Sequence, residues 1–159
     1  MASEWMGRYR PLVAALVKHG NVAVNGLKHR SEPVPGVRLT ATEWQVLETV
    51  IEHELQVTNM NRLAEGIGIP QSTSSKTVSY LCGQGLVEKY QTANNKKNVI
   101  LQPTELAREV YSVHSGFLKE KVFERFFCEL ENIDDAALDA MTKAVEYLNG
   151  GMEDYPETK

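Results

Sequence analysis

The sequence predicts a mainly helical, α+β fold that contains one small β-hairpin. Three observations support this prediction: two short helix-like segments joined by a glycine-containing turn, two strand-like runs directly after them, and apolar helix-like segments towards both ends of the chain. Two helices joined by a tight turn and followed by a hairpin form a winged helix-turn-helix. We therefore expect a winged helix-turn-helix with a two-stranded β wing, flanked by N-terminal and C-terminal helices.

Near the N-terminus, a helix is predicted by apolar residues that recur at roughly helical spacing after Pro11, which suits a first helical turn. The run SEPVPGVR, residues 31–38, has two prolines and a glycine, so it cannot continue that helix. We expect a loop there. A capping box then predicts the next helix, because Glu43 follows Thr40 by three residues and an apolar stripe begins at Trp44.

The helix-turn-helix lies in the central third of the chain. TNMNRLAEGIGI gives a short helix that Gly66 and Gly68 end, and PQSTSSKTVSYL starts a second helix with Pro70 at its beginning. The strand-like runs LVEKYQ and NVILQ follow, separated by the polar segment TANNKK, which suits a turn. Thr104 can cap a long helix after the second run, and a final helix follows a turn at residues 132–135.

Charge is unevenly distributed along the chain. The protein has 159 residues, the size of one ordinary domain, and a formal net charge of −4. Residues 60–104 carry a net charge of +3, and the remainder of the chain carries −7. A basic central third between acidic ends indicates one surface for a polyanion.

The second helix of the helix-turn-helix has an inward and an outward side. Helical spacing places four residues inward: Ser74, Thr77, Val78 and Leu81. It leaves six polar residues outward: Gln71, Ser72, Thr73, Ser75, Lys76 and Ser79. Such side chains can bond base edges or phosphates, and a helix N-terminus favours a phosphate, so we predict contact with double-stranded DNA. The alternative is a merely solvated face, although Ser and Thr are poor helix formers.

The predicted wing carries Asn95, Lys96 and Lys97 near its turn. Long cations at such a tip can enter a minor groove or neutralise its phosphates, which makes these residues candidates for DNA contact. The alternative is that the two lysines are solvated and do not contact DNA.

The helices at both ends of the chain are too apolar on one face for a small winged helix to cover. In the final helix, apolar residues are spaced alternately by three and four, as in a heptad seam: Leu138, Met141, Val145 and Leu148. A symmetric homodimer would cover these faces, and the alternative is extra core within a monomer. We therefore divide a single domain, 1–159, as follows: dimerisation helices (1–30 and 104–150), winged helix-turn-helix (39–103) and tail (151–159).

Three stretches together resemble the MarR (multiple antibiotic resistance regulator) family of winged-helix transcription factors: LTATEWQVLETV, MNRLAEGIGIPQSTSSKTVSYLCGQGLVEKY and NNKKNVILQPTELARE. The resemblance covers about residues 39–109 and rests on order, spacing and the Gly-Leu-Val step after the second helix. It implies a homodimer on a pseudopalindromic operator, a repressor as most members are, with the second helix in the major groove and the wing in the minor groove. The family's wing usually has Asp-x-Arg where this chain has Asn95, Lys96 and Lys97, which implies a looser wing.

Many members of this family bind small aromatic or other lipophilic ligands between the dimerisation helices and the winged helix. The resemblance implies such an effector here, with Trp44, His53 and Tyr111 as candidate lining residues, although Trp44 also fits the core. Other members sense oxidants through cysteine or bind zinc. For Cys82 and Cys128, which form no CxxC pair, we expect two buried thiols. The four histidines have no short ligand spacing, so no cofactor and no metal site are predicted.

We expect a DNA-binding regulator rather than a protein of two other classes. A winged helix that acts as a protein-interaction module and antagonises another regulator would expose aromatic residues or Met, and the outward face has Tyr80 at most. An enzyme is not expected, because no nucleophile elbow, phosphate loop or catalytic carboxylate pair is recognisable. No membrane-spanning segment or signal peptide is recognisable either, so we expect a cytoplasmic protein with no membrane partner.

Overall fold

A computed structural model describes residues 4–26, 29–92 and 95–153 of the chain. The chain divides into two units, Met1–Gly116 and Phe117–Lys159. The elements up to the end of the wing are a 3₁₀ helix (Glu4–Tyr9), α1 (Arg10–Gly26), β1 (Arg30–Val34), β2 (Val37–Thr40), α2 (Ala41–Glu52), β3 (Val57–Thr58), α3 (Met60–Ile67), α4 (Gln71–Gly83), β4 (Val87–Thr92) and β5 (Asn95–Pro103). The remaining elements are α5 (Glu105–Leu118), a π-helical turn (Lys119–Phe123), α6 (Glu124–Leu130) and α7 (Asp135–Glu153).

The helix-turn-helix consists of α3 and α4, and it confirms the predicted fold class. α2 begins with the predicted capping box: the Glu43 amide donates to Thr40 Oγ1 at 3.3 Å, and the Thr40 amide donates to the Glu43 carboxylate at 2.7 Å. α3 ends at Gly68, whose φ of 75° is a left-handed conformation that glycine adopts without strain. α4 starts three residues later, so the turn between the helices is tight.

The core holds the inner side of α4. The four residues predicted to face inward, Ser74, Thr77, Val78 and Leu81, are all buried. Val78 and Leu81 join a hydrophobic cluster to which α2 contributes Leu47, the base of the wing contributes Leu86 and α5 contributes Val110. In the described part of the chain, every buried hydrophobic residue lies between Leu39 and Val110. The inner side of α4 is therefore fixed by packing while its other side remains available.

The segment predicted as a loop at residues 31–38 is instead an antiparallel ribbon of β1 and β2, and this corrects the prediction. Arg30 pairs with Thr40 and Val34 with Val37, and Gly36 makes the turn at a φ of 87°. The register shifts between Ser31 and Val34, so Pro33 lies at an irregularity of the pairing. Proline is tolerated at such positions because no regular ladder bond is required from its nitrogen.

The wing is the predicted antiparallel pair, in which β4 pairs with β5. A third strand that the sequence did not predict, β3, pairs with the other edge of β5, giving the sheet order β3-β5-β4. Val57 pairs with Ile100, and Thr58 pairs with Val99. The wing is thus joined to the chain that leads into α3.

Thr104 caps α5 as predicted, since its Oγ1 accepts a hydrogen bond from the Ala107 amide at 3.2 Å. The same hydroxyl donates to the Gly85 carbonyl at 2.8 Å. The sequence predicted one long helix here, whereas the structure has a π-helical turn between α5 and α6. Asp134 caps α7 through the Ala137 amide at 2.7 Å. None of the helices in the described residues combines the length and the apolar character that crossing a membrane requires.

Candidate nucleic-acid interface

The outward side of α4 carries the six polar residues that the sequence predicted. Gln71, Ser72, Lys76 and Ser79 are exposed, and Thr73 and Ser75 are half-buried. Two hydrogen bonds organise this side: Gln71 Nε2 donates to Ser75 Oγ at 3.3 Å, and Ser79 Oγ donates to the Ser75 carbonyl at 2.9 Å. Short side chains held close to the helix allow a close approach to a groove, and Lys76 extends beyond them.

The start of α4 provides backbone donors on the same surface. Pro70 occupies the N-cap, and no side chain in the described residues caps this helix. No acidic residue lies in its first turn. The amides at a helix N-terminus and the helix dipole favour an anion such as a phosphate.

A groove of about 720 Å³ runs from the starts of α3 and α4 to the wing. It is lined by Asn59, Met60, Asn61, Arg62, Glu65, Gln71, Lys89, Gln91, Lys97, Asn98 and Val99. Two of the predicted residues, Gln71 and Lys97, therefore line one continuous surface, with Glu65 as its one acidic member. The groove is basic and rich in amide side chains, which suits a polyanion.

Arg62 and Lys89 line this groove but were not among the residues predicted to bind DNA. Both are exposed, and no ion pair within the described residues involves either of them. Both contributed to the basic charge of residues 60–104, but nothing in the sequence placed α3 beside β4. The side chains of Asn95 and Lys96 lie outside the described part of the chain. DNA contact by these two wing residues stays a prediction.

The three residues suggested for an effector lie in different surroundings. Trp44 is a core residue with 4% exposure, its Nε1 donates to Ser31 Oγ at 2.7 Å, and its ring stacks on His114 at 3.8 Å. Tyr111 donates a hydrogen bond to the Glu48 carboxylate, and burial together with this bond raises the pKa of its phenol. His53 is exposed and lines a separate cavity of about 400 Å³ between α2, α3 and β5.

The MarR family's sequence profile matches residues 39–98, which span β2 to the wing. These residues contain all of the helix-turn-helix whose geometry is described above. The winged helix-turn-helix of this chain thus matches the MarR family.

One curated regulator is similar to part of this chain in sequence, and two solved structures are similar to it in fold. The uncharacterized HTH-type transcriptional regulator YhjH of Bacillus subtilis (strain 168) is 30% identical over 89 residues, which are 56% of this chain and 49% of that protein. The chain thus spans about half the length of this curated relative. A MarR/EmrR family regulator from Acinetobacter sp. ADP1 has a TM-score of 0.61 at 17% identity, covering 93% of this chain and 97% of that one. A variant of ZitR from Lactococcus lactis, solved in complex with DNA, has a TM-score of 0.60 at 22% identity, covering 92% and 99%.

The cysteines of this chain differ from the prediction of two buried thiols. Cys82 is half-buried, and burial raises the pKa of its thiol while Lys89 opposes that rise. Cys128 is exposed and lies on α6, which has no buried residue. Across the described residues, no three His, Cys, Asp or Glu side chains lie close enough to hold a metal ion.

Proposed function

We propose that this protein is a sequence-specific, DNA-binding transcription regulator of the MarR family that inserts α4 into a major groove. The observation that carries the proposal is the outward side of α4, where short polar side chains and Lys76 lie beside an uncapped helix N-terminus. Gln can bond adenine, Lys can bond guanine, and Ser and Thr can bond either bases or phosphates. A cytoplasmic location, as expected from the sequence, would give such a regulator access to the DNA.

In this proposal, the phosphates of the same DNA lie along the groove between α3 and the wing. Arg62, Lys89 and Lys97 would neutralise them, and the amides of Asn61 and Gln91 would bond them. The wing residues Asn95, Lys96 and Lys97 would lie at the neighbouring minor groove. A protein partner fits this surface less well, because Tyr80 is half-buried and covered by an arginine rather than exposed as an aromatic anchor.

The protein is further proposed to act as a homodimer. α1 has no buried residue, and the unit Phe117–Lys159 exposes a large part of its apolar side chains. Phe126 and Phe127 are each 54% exposed, and the heptad residues Met141, Val145 and Leu148 are exposed as well. Exposed apolar area of this extent indicates an interaction surface. A second copy of the chain would cover it and would present two α4 helices to a pseudopalindromic operator.

We also propose that the protein represses transcription by occupying a promoter and that a small aromatic or lipophilic ligand modulates it. Support for an effector comes from the cavity of about 400 Å³, whose volume suits a small molecule and whose lining includes His53 and Leu101. ZitR from Lactococcus lactis, a fold neighbour with a TM-score of 0.59, is described as zinc-responsive. Response to a small chemical signal, in that case zinc, therefore occurs in a protein of this fold.

Binding to the DNA immediately upstream of the protein's own gene tests the proposal, titrated with salt in excess non-specific competitor. Tight binding that survives the competitor and falls steeply with salt is expected. Lys76→Ala should weaken binding by roughly 1–3 kcal/mol, and Lys97→Ala should reduce the salt slope by about one per site. Lys143→Ala on α7 is the control and should change neither quantity. If both lysine variants bind as the control does, DNA does not lie on this surface.

Sedimentation velocity tests the dimer separately. Val145→Glu places a charge in the apolar seam of α7 and should shift the protein towards monomer. Lys143→Glu places a carboxylate on the same helix outside the seam and should leave the dimer intact. A wild-type protein that sediments as a monomer at every concentration would refute the dimer.

A further inference from the structure

Arg30, the first residue of β1, is bonded to both α2 and α4. Its guanidinium donates to the Glu43 carboxylate through two nitrogens, at 2.9 and 3.0 Å. It also donates to the Tyr80 hydroxyl at 3.0 Å and to the Arg38 carbonyl at 2.8 Å. Glu43 and Tyr80 are 13 and 50 residues away from Arg30 in sequence, so this side chain joins three elements.

The contact with Glu43 gives Arg30 a fixed anchor. The Glu43 residue is 8% exposed, and the same carboxylate that Arg30 binds also closes the capping box of α2 through the Thr40 amide at 2.7 Å. A carboxylate that is held by a backbone amide has little freedom to move, and a two-nitrogen fork fixes the orientation of the guanidinium. Arg30 is therefore positioned by the first turn of α2.

The contact with Tyr80 connects this anchor to the DNA-reading helix. The guanidinium carbon of Arg30 lies 4.9 Å from the centroid of the Tyr80 ring, and the Tyr80 hydroxyl donates to the Arg38 carbonyl at 3.3 Å. Tyr80 lies between the outward Ser79 and the buried Leu81, at the border of the two sides of α4. A contact at this border resists rotation of α4 about its axis, in addition to the packing of the inner side.

We propose that Arg30 is a positioning residue for DNA recognition: it fixes the rotation of α4 through Tyr80, so that the outward residues meet the base edges in register. This inference rests on the proposed function. Arg30 acts through Tyr80 and makes no phosphate contact of its own. α1 ends at Gly26, and β1 begins four residues later at Arg30. The hydrogen bond from Arg30 to Tyr80 therefore connects the segment that follows α1 to α4.

The ribbon supplies a matched control. Arg38 on β2 pairs with Glu32 on β1, so this ion pair is internal to the ribbon. The Arg38 side chain is 69% exposed and contacts neither α2 nor α4 by any hydrogen bond or ion pair of the described residues. Arg38→Met therefore removes an arginine side chain of the same ribbon and keeps the Arg38 carbonyl, which accepts hydrogen bonds from Arg30 and Tyr80.

The test compares Arg30→Met, Arg30→Lys, Tyr80→Phe and Arg38→Met in the full chain. Three quantities are measured: the ratio of operator affinity to affinity for unrelated DNA, the salt slope of operator binding, and amide hydrogen exchange of residues 71–83 without DNA. Arg30→Met should lower the ratio about tenfold, as expected for losing hydrogen bonds to a charged group, with an unchanged salt slope and faster exchange in α4. Arg30→Lys and Tyr80→Phe should show smaller effects in the same direction, and Arg38→Met should show none.

Other results would overturn the inference. A salt slope reduced by about one in Arg30→Met means that Arg30 binds phosphate directly. If Arg30→Met and Arg38→Met have the same ratio of operator affinity to affinity for unrelated DNA, and the same hydrogen exchange in α4, Arg30 does not position α4. If Arg30→Met fails to fold because Glu43 loses its partner, Arg30→Lys and Tyr80→Phe decide the question. If the wild-type protein binds operator and unrelated DNA equally well, the proposed function is refuted instead. In that case, faster hydrogen exchange of α4 in Arg30→Met than in the wild type still tests whether Arg30 positions α4.

Discussion

Removing the hydroxyl of Ser74 should stabilise the protein. Ser74 is fully buried on the inner side of α4, and its Oγ has no hydrogen-bond partner among the described residues. A buried polar group without a partner costs about 1–3 kcal/mol in desolvation. Replacing serine by alanine inside a helix adds about 0.5 kcal/mol through helix propensity. A small cavity offsets part of this gain, so Ser74→Ala should raise the free energy of unfolding by about 1 kcal/mol.

Equilibrium unfolding in urea is the assay, carried out at one fixed protein concentration because a dimer's stability depends on concentration. The midpoint should rise while the slope of the transition stays the same. Ser79→Ala is the matched control: it makes the same chemical change on the same helix at an exposed position, where Oγ donates to the Ser75 carbonyl at 2.9 Å. Both variants gain the same helix propensity, so the difference between them reports the burial of the Ser74 hydroxyl together with the one hydrogen bond that Ser79→Ala loses.

Two results would refute this reasoning. If Ser74→Ala is no more stable than Ser79→Ala, the Ser74 hydroxyl has a partner such as an ordered water. If Ser74→Ala is less stable than the wild type, its hydroxyl contributes to packing more than it costs. DNA affinity should be unchanged in Ser74→Ala in either case, because the side chain is on the inner side of α4.

Three further predictions concern residues outside that helix face. Thr104→Val removes the cap of α5 and the bond to the Gly85 carbonyl, so it should lower the free energy of unfolding in urea by about 1–2 kcal/mol. Burial lowers the pKa of His114 from its ordinary value of 6.5, so the folded chain binds fewer protons than the unfolded chain as the pH falls past that value. Stability should therefore decrease below about pH 6.5, and His114→Gln should flatten this decrease in urea titrations at several pH values. Burial raises the pKa of the Cys82 thiol, so iodoacetamide should modify Cys82 more slowly in the folded than in the unfolded chain, as followed by mass spectrometry; equal rates would contradict that assignment.

Elements with local signals were predictable from the sequence. The capping box of Thr40 and Glu43 and the left-handed Gly68 each involve residues within a few positions of one another. Elements that form by pairing with distant residues could not be predicted. The two-residue strand β3 forms because Val57 and Thr58 pair with β5, some forty positions away. The ribbon was missed because proline normally argues against a strand, whereas Pro33 lies where the register of the pairing is irregular.

The same distinction applies to the candidate site. The two sides of α4 follow from a periodicity contained in thirteen residues, and the burial of Ser74, Thr77, Val78 and Leu81 confirmed the inward side. The groove between α3 and the wing brings Arg62 and Lys89 together only through tertiary packing. Arg30 and Tyr80 meet across 50 residues, so no spacing rule could have linked them. Trp44 was placed in the core by its apolar stripe, and its low exposure confirms this alternative.

Thr104 gives the end of α4 and the start of α5 a common point of attachment. Its hydroxyl bonds the Ala107 amide and the carbonyl of Gly85, which follows α4 by two residues. Because one oxygen makes both bonds, the two helix ends cannot separate without breaking one of them. A reorientation of α5 would therefore pull on the end of α4 through this hydroxyl as well as through the core that the two helices share.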